Sequence, residues 1–221
     1  AYMLNCGFGV IIMPIAGILL LIRGAALRSM LFGLFDSNTG TIAILAAAAV
    51  CLVSTMNDMT APSVSLEGKT LWILRSMPVT TQQILRAKLA MQLLLSGISV
   101  LFAAICTCIA FAVPIGSSIA VILACLSLVV LLAEFGLFLD LKKPNLNWTT
   151  EITPIKQSSS VMFALLGGWL YVLLFGTGWF LGAHALGAEL YLMLFFALNM
   201  ILSAVLRSWL MRSGTGIFES L

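Results

Sequence analysis

The residues able to carry chemistry are few: one histidine, five cysteines and eight carboxylates in 221 residues. Gly68-Lys69-Thr70 matches the end of a phosphate-binding loop, G-x-x-x-x-G-K-[ST], whose glycines let backbone amides cradle phosphate. The first glycine position is Ser63, however, and no strand precedes it, so ATP binding by this chain is not expected. His184 and Glu189 share a short link, but one histidine and one carboxylate do not make a catalytic or metal constellation. Cys6, Cys51, Cys106, Cys108 and Cys125 all lie in apolar runs, where a thiol behaves as a small hydrophobe. Cys106 and Cys108 have neither a zinc spacing nor a redox C-x-x-C spacing, so no metal, disulfide or cofactor is expected. Glu134 stands out because a charge at membrane depth costs about 2.5 to 3.5 kcal/mol on insertion scales. It lies about 7 to 8 Å from the end of its span at a rise of about 1.5 Å per residue. From there it either reaches headgroups or Lys142 and Lys143, a structural role, or serves coupling or translocation. Asp58 and Asp140 sit at span ends and read as boundary residues.

The elements that hold these groups follow from composition. Hydrophobic residues make up 62% of the chain and charged residues 9%, with a mean hydropathy of +1.15. That leaves too little polar surface to coat a soluble globule. Runs of roughly 20 apolar residues cross a bilayer core of about 30 Å, and inside lipid they must be helices because only helices satisfy their own backbone groups. The expected fold is therefore all-α, a single polytopic transmembrane domain over residues 1–221 with six spans. These are placed at 4–22, 41–56, 89–113, 118–139, 161–181 and 190–206. Pro14 falls inside the first span as a tolerated kink, and the S-M-L-F-G-L-F stretch after it reads as interfacial. The chain opens on Ala1 and lacks the basic n-region and cleavage site of a signal peptide, so we expect a segment of a longer protein.

Orientation follows from the basic residues, which are retained on the cytoplasmic side when they flank spans. Segments 57–88, 140–160 and 207–221 hold Lys69, Arg75, Arg86, Lys88, Lys142, Lys143, Lys156, Arg207 and Arg212, whereas the other face holds Arg23 and Arg28. Both long polar loops and the C-terminus are thus expected in the cytoplasm of a multi-pass plasma-membrane protein. The net charge of +3 is dispersed, so it points to topology and not to nucleic acid.

The longest polar interruption is Ser65 to Lys88. On a helical projection Leu66, Ile73 and Met77 form one stripe, and Val64, Leu71 and Leu74 lie roughly opposite. Two apolar faces suggest two neighbours, with Glu67, Lys69 and Arg75 adding charged contacts. Pro78 ends this helix, and Thr80-x-x-Gln83 reads as a capping box that starts the next. Residues Glu67, Gly68, Thr70, Leu71, Leu74, Pro78, Val79, Thr80 and Lys88 give the region a pattern that resembles the coupling-helix region of type-2 ATP-binding-cassette (ABC) exporter permeases. The six-span layout agrees along the whole chain. The loop D-L-K-K-P-N-L-N-W-T, followed by Ile155-Lys156-Gln157, is further similar to a narrower bacterial group of ABC transporter permeases, in which this segment would be the C-terminal half. Two features depart from the pattern: Trp72 stands where an acidic residue is usual, and the amphipathic connecting helix before the first span is missing.

What the resemblance implies is a transmembrane subunit of an exporter powered by a separate ATPase subunit, with no hydrolysis on this chain. Glu67, Gly68, Lys69, Leu71, Leu74, Arg75 and Pro78 would couple to the ATPase, and the hinge at 78–81 would pass motion to the third span. A second transmembrane domain would complete the path, as a homodimer, a heterodimer or an N-terminal half of the same chain. Two other readings stay open: a carrier driven by an ion gradient, for which Glu134 and Pro14 are the available features, and a membrane scaffold without transport. A membrane-embedded enzyme would need convergent acid, base or metal groups at one depth, which the sequence does not offer.

Overall fold

The computed structural model describes residues 7–34, 39–146, 148, 150, 152–156 and 158–221, without the side chains of Phe32, Lys69, Arg75, Ile152 and Lys156. Among the described residues the chain is 85% helix with no strand. Helix α1 is Phe8–Leu34 and α2 is Thr39–Ser54. A tight 3-10 turn, Ser65–Thr70, leads into the short α3, Leu71–Ser76. Helices α4 (Thr81–Ala110) and α5 (Ile115–Lys142) follow, then the five-residue α6 (Ile152–Lys156) and α7 (Ser159–Phe180). Helix α8 (Ala188–Trp209) passes through a π turn, Leu210–Gly214, into α9 (Thr215–Ser220).

Five stretches are long and apolar enough to cross a membrane: Phe8–Leu31, Thr81–Ala110, Ile115–Lys142, Thr153–Phe180 and Ala188–Ser220. The remaining expected span, 41–56, falls on α2, a shorter apolar helix. Its 16 residues extend about 24 Å at about 1.5 Å per residue, short of a core of about 30 Å. The first span also differs. It does not stop at residue 22; the helix continues through Arg23 and Arg28 to Leu34, so the stretch expected to lie along the interface is the same helix. Ser99 Oγ donates to the Val10 carbonyl at 3.2 Å, and a Cβ on Gly24 would lie 2.7 Å from Ala110 Cβ. Helices α1 and α4 therefore run in the same direction, and Arg23 is level with the C-terminal end of α4. The remaining ten or so residues project about 15 Å further, and Leu31 there lines a hollow shared with α2.

Helix α5 is the central post, with α4 and α8 along it and α2 and α7 packed against other faces. Its small residues permit close approach: Ala124 and Cys125 are fully buried against Ala47 and Cys51 of α2, a pattern expected where van der Waals contact drives helix association. The sulfurs of Cys51 and Cys125 lie 3.7 Å apart, and all described cysteines are free thiols; Cys6 lies outside the described residues. Polar side chains link the far helices at depth. Tyr171 donates to Asn199 Oδ1 at 2.6 Å, and Asn199 Nδ2 donates to Ser127 Oγ at 3.0 Å, which joins α7, α8 and α5. An aromatic stack of Tyr171, Phe175, Tyr191 and Phe195, with centroids 4.0 to 5.5 Å apart, fills the seam between α7 and α8.

At one end of the bundle three polar segments converge. Asn145 and Trp148 bond to Ser65, α6 packs on the 3-10 turn, and Thr81 Oγ1 donates to Glu219 at 2.7 Å. The segments that carry most of the basic residues thus share one end, whereas Arg23 lies toward the other.

Candidate functional site

The site is built where α2 stops and the chain returns toward α4. Every residue from 57 to 65 is buried, although none of 57–64 is helical. Irregular backbone at such depth is tolerated only where protein satisfies its polar groups, and here the neighbouring helices supply partners. Gln92 of α4 accepts from Thr60 N at 2.8 Å and donates to the Asn57 carbonyl at 2.9 Å. Thr60 Oγ1 donates to the Ala133 carbonyl of α5 at 2.7 Å. Room for this knot comes from Gly136: a Cβ there would sit 2.6 Å from Asp58 Oδ1 and 2.7 Å from Thr60 Oγ1.

Asp140 secures the next turn. Fully buried, it accepts from Val64 N at 2.6 Å, from Ser65 N at 3.1 Å and from the Ser65 hydroxyl. Ser65 Oγ in turn accepts from Asn145 N at 2.9 Å, and Trp148 Nε1 donates to the Ser65 carbonyl at 2.8 Å. Trp148 lies so close to the backbone that a Cβ on Gly68 would come within 2.9 Å of its Nε1 and 3.1 Å of the Leu146 carbonyl. The motif glycine therefore admits the indole of a distant loop; no phosphate cradle is formed. From α4, Lys88 donates to the Ser63 carbonyl at 2.8 Å and pairs with Glu67. Burial pushes the Glu67 carboxyl above its ordinary range, although Lys88 pulls the other way.

Beyond this anchor the chain turns outward. Leu71 is buried in the cluster with Leu85, Leu137 and Leu141, but Trp72 is 68% exposed, Met77 47% and Val79 45%. Met77 is extended (φ −76°, ψ 144°), the conformation that the following Pro78 imposes on its predecessor, and this ends α3. Thr80 and Gln83 then make both bonds of the expected capping box, Thr80 N to Gln83 Oε1 at 2.9 Å and Gln83 N to Thr80 Oγ1 at 3.4 Å. Between α3 and α4 runs a groove of about 650 Å³ lined by Leu66, Leu74, Met77, Val79, Ile84 and Met91, with Glu67 and Lys88 at its edge.

The residues singled out from sequence thus divide. Glu67, Gly68 and Leu71 face the protein itself, Leu74 lines the groove, Pro78 is exposed at the bend, and the side chains of Lys69 and Arg75 lie outside the described residues. The two-faced helix expected over Ser65 to Met77 is instead a 3-10 turn and a separate six-residue helix, broken at Gly68 (φ 18°, ψ −97°). Glu134 does not reach Lys142 or Lys143. It is 2% exposed, and its Oε2 accepts from Ser203 of α8 at 2.6 Å; Lys142 and Lys143 rest over aromatic rings of Phe138, Trp209 and Phe163. Asp58 and Asp140 are not boundary residues at the water edge but the buried centre of the site. Asp58 Oδ2 and both side-chain polar atoms of Asn57 are buried without a hydrogen-bond partner. Burial pushes the Asp58 carboxyl up to about 8, with the Asp140 charge adding to the effect and the Ala61 backbone opposing it.

A second hollow, about 520 Å³ and almost wholly apolar, lies between α1, α2 and α4, bordered by Met13, Leu20, Ile42, Val50, Ala103 and Phe111. Its size is that of a small-molecule site. No three histidine, cysteine, aspartate or glutamate side chains among the described residues come together to hold a metal. No family model, no curated protein and no solved structure matches the chain.

Proposed function

We propose that this chain is the transmembrane permease subunit of an ATP-binding-cassette exporter, seated in the plasma membrane with its basic end and C-terminus in the cytoplasm. In this reading α2 is the sixth, shortened span, and Ser65–Ser76 is the coupling element that receives a separate ATPase subunit. A second transmembrane domain completes the path, and no ATP is hydrolysed on this chain. One observation carries the reading. A short helix stands at the basic end with Trp72, Ile73, Met77 and Val79 exposed, while its root is fixed to α5 through Asp140 and to α4 through Lys88. Exposed aromatic and Met side chains on a firmly rooted element are what a protein partner uses as anchors. A push on α3 reaches α4 through the tight bend at Pro78 and reaches α5 through Asp140. The apolar hollow between α1, α2 and α4 suits an apolar or amphipathic cargo.

The test is co-purification with an ATPase subunit and stimulation of its hydrolysis in reconstituted vesicles. Trp72→Glu with Met77→Glu is expected to lower stimulated ATPase activity at least tenfold while membrane insertion and thermal stability are retained, since both residues are exposed. Unchanged stimulation contradicts the assignment of this surface.

A carrier driven by an ion gradient is favoured by a different observation: α2 is interrupted inside the bundle, and the segment after it buries Asp58 and Asn57 with unpartnered atoms, as in the broken helices of such carriers. Transport by vesicles that requires a proton or sodium gradient and no ATPase would select this reading.

A further inference from the structure

Cys51 of α2 and Cys125 of α5 meet inside the bundle, 74 residues apart along the chain, with their sulfurs 3.7 Å from each other. The Cys51 thiol donates to Cys125 Sγ, and Cys125 donates to the Ala47 carbonyl at 3.9 Å. Both residues are 0% exposed, and both are free thiols. The buried cluster that holds them is hydrophobic, and Ala43, Ala47 and Ala124 within it let the two helices approach closely. Cys106 and Cys108 are buried too, but both belong to α4.

We propose that this pair is a redox latch: hydrogen peroxide oxidises Cys51 and Cys125 to a disulfide that ties α2 to the central post. From 3.7 Å the sulfurs close by about 1.7 Å to reach the roughly 2.05 Å of a disulfide bond, a shift within reach of side-chain rotation. One thiol takes an oxygen atom as the O–O bond of the peroxide breaks, which gives a sulfenic acid and a first water. The sulfur of the other thiol then displaces the hydroxyl: the S–O bond breaks as S–S forms, and the hydroxyl leaves with the thiol proton as a second water. The thiols together lose two electrons, and the peroxide gains them. The surroundings select this product. A soft cation such as Cu(I) held by two thiolates would bury a net negative charge among apolar side chains, whereas a disulfide is neutral. They also make the latch one-sided. Hydrogen peroxide is small and uncharged, but glutathione carries several charges and is excluded from such a core, so the bond forms more readily than it is removed. Once formed, it closes a loop that contains the buried 57–65 segment and α4, and α2 no longer parts from α5. The latch is independent of the exporter reading.

The experiment treats the detergent-purified chain with hydrogen peroxide, unfolds it in N-ethylmaleimide to block the remaining thiols, and maps its peptides by mass spectrometry without reduction. Met77, which is 47% exposed, reports delivery of the oxidant by becoming the sulfoxide. The expected result is a linked peptide pair carrying Cys51 and Cys125, two hydrogens lighter than its parts, in most of the chains, with Cys106 and Cys108 recovered as blocked thiols. Applied to the folded, oxidised chain, uncharged dithiothreitol is expected to open the bond about tenfold faster than glutathione, since exchange depends on access to the sulfur. Cys51→Ala is expected to leave Cys125 unlinked. Oxidised Met77 with the thiols of Cys51 and Cys125 intact overturns the proposal. So does a link from Cys125 to Cys108 in the unaltered chain, and so does a bond that glutathione opens as fast as dithiothreitol.

Discussion

Asp140 shows how much rests on single side chains here. It is the shared acceptor for two backbone amides and a hydroxyl about 75 residues away, and the loss of a buried acceptor strands donors at about 1 to 3 kcal/mol each. Asp140→Ala is therefore expected to lower the melting temperature in detergent and to expose the 57–65 segment to protease; protection equal to that of the parent chain would contradict the anchor. Asp58 makes a pH prediction with a definite sign. Its folded carboxyl is raised from 3.8 to about 8, so the folded chain holds a proton that the unfolded chain releases. Stability contributed by the neutral acid is complete at low pH and falls as pH rises through the window from about 4 to 8, by at most about 1.4 kcal/mol per pH unit. The facing charge is Asp140 of α5. Asp58→Asn is expected to flatten that fall and to stabilise the chain at pH 8, read as melting temperature between pH 5 and pH 9. Neither role was legible in the sequence. A carboxylate near a span end looks the same whether it meets water or folds inward, because its partners come from a segment distant along the chain.

Among elements, α4 was the most legible. Thr80 and Gln83 carry a local signal, and the capping box forms as expected because both bonds lie within four residues. Removing it by Thr80→Ala is expected to cost about 1 kcal/mol, seen as a lower melting temperature; an unchanged melting temperature would show that the cap contributes nothing. Pro78 was equally plain as a stop. The extents of α1 and α2 were not. Arg23 and Arg28 read as the end of a span, yet α1 continues past the end of α4 to Leu34, with Leu31 lining the hollow that it shares with α2. Alanine-rich α2 read as a short span running to Met56; it halts at Ser54, and the segment after it bonds to Gln92, Ala133 and Asp140 of α4 and α5. The helix over Ser65 to Met77 was legible as a short two-faced element ended by Pro78, but its break at Gly68, where Trp148 packs, was not, since no local pattern announces a tryptophan 80 residues away.

At the scale of the whole molecule, composition alone indicates a helical membrane protein, and the five long apolar helices agree. The gathering of the polar segments at one end also follows from the sequence, since an even count of crossings returns alternate loops to the same side. What the fold adds is a division of labour at that end. Residues 57–68 are locked into the bundle, and residues 72–79 are left outside it with their apolar side chains uncovered. The central claim is that this uncovered surface receives an ATPase. Placing a photoreactive benzoylphenylalanine at position 72, and as a control at the 87% exposed Leu181 near the other end, tests it in intact membranes. The account predicts a crosslinked partner at position 72, identified by peptide sequencing as a P-loop ATPase subunit, and none at position 181. Adducts at position 72 with lipid alone, or an ATPase captured equally from both positions, would contradict it.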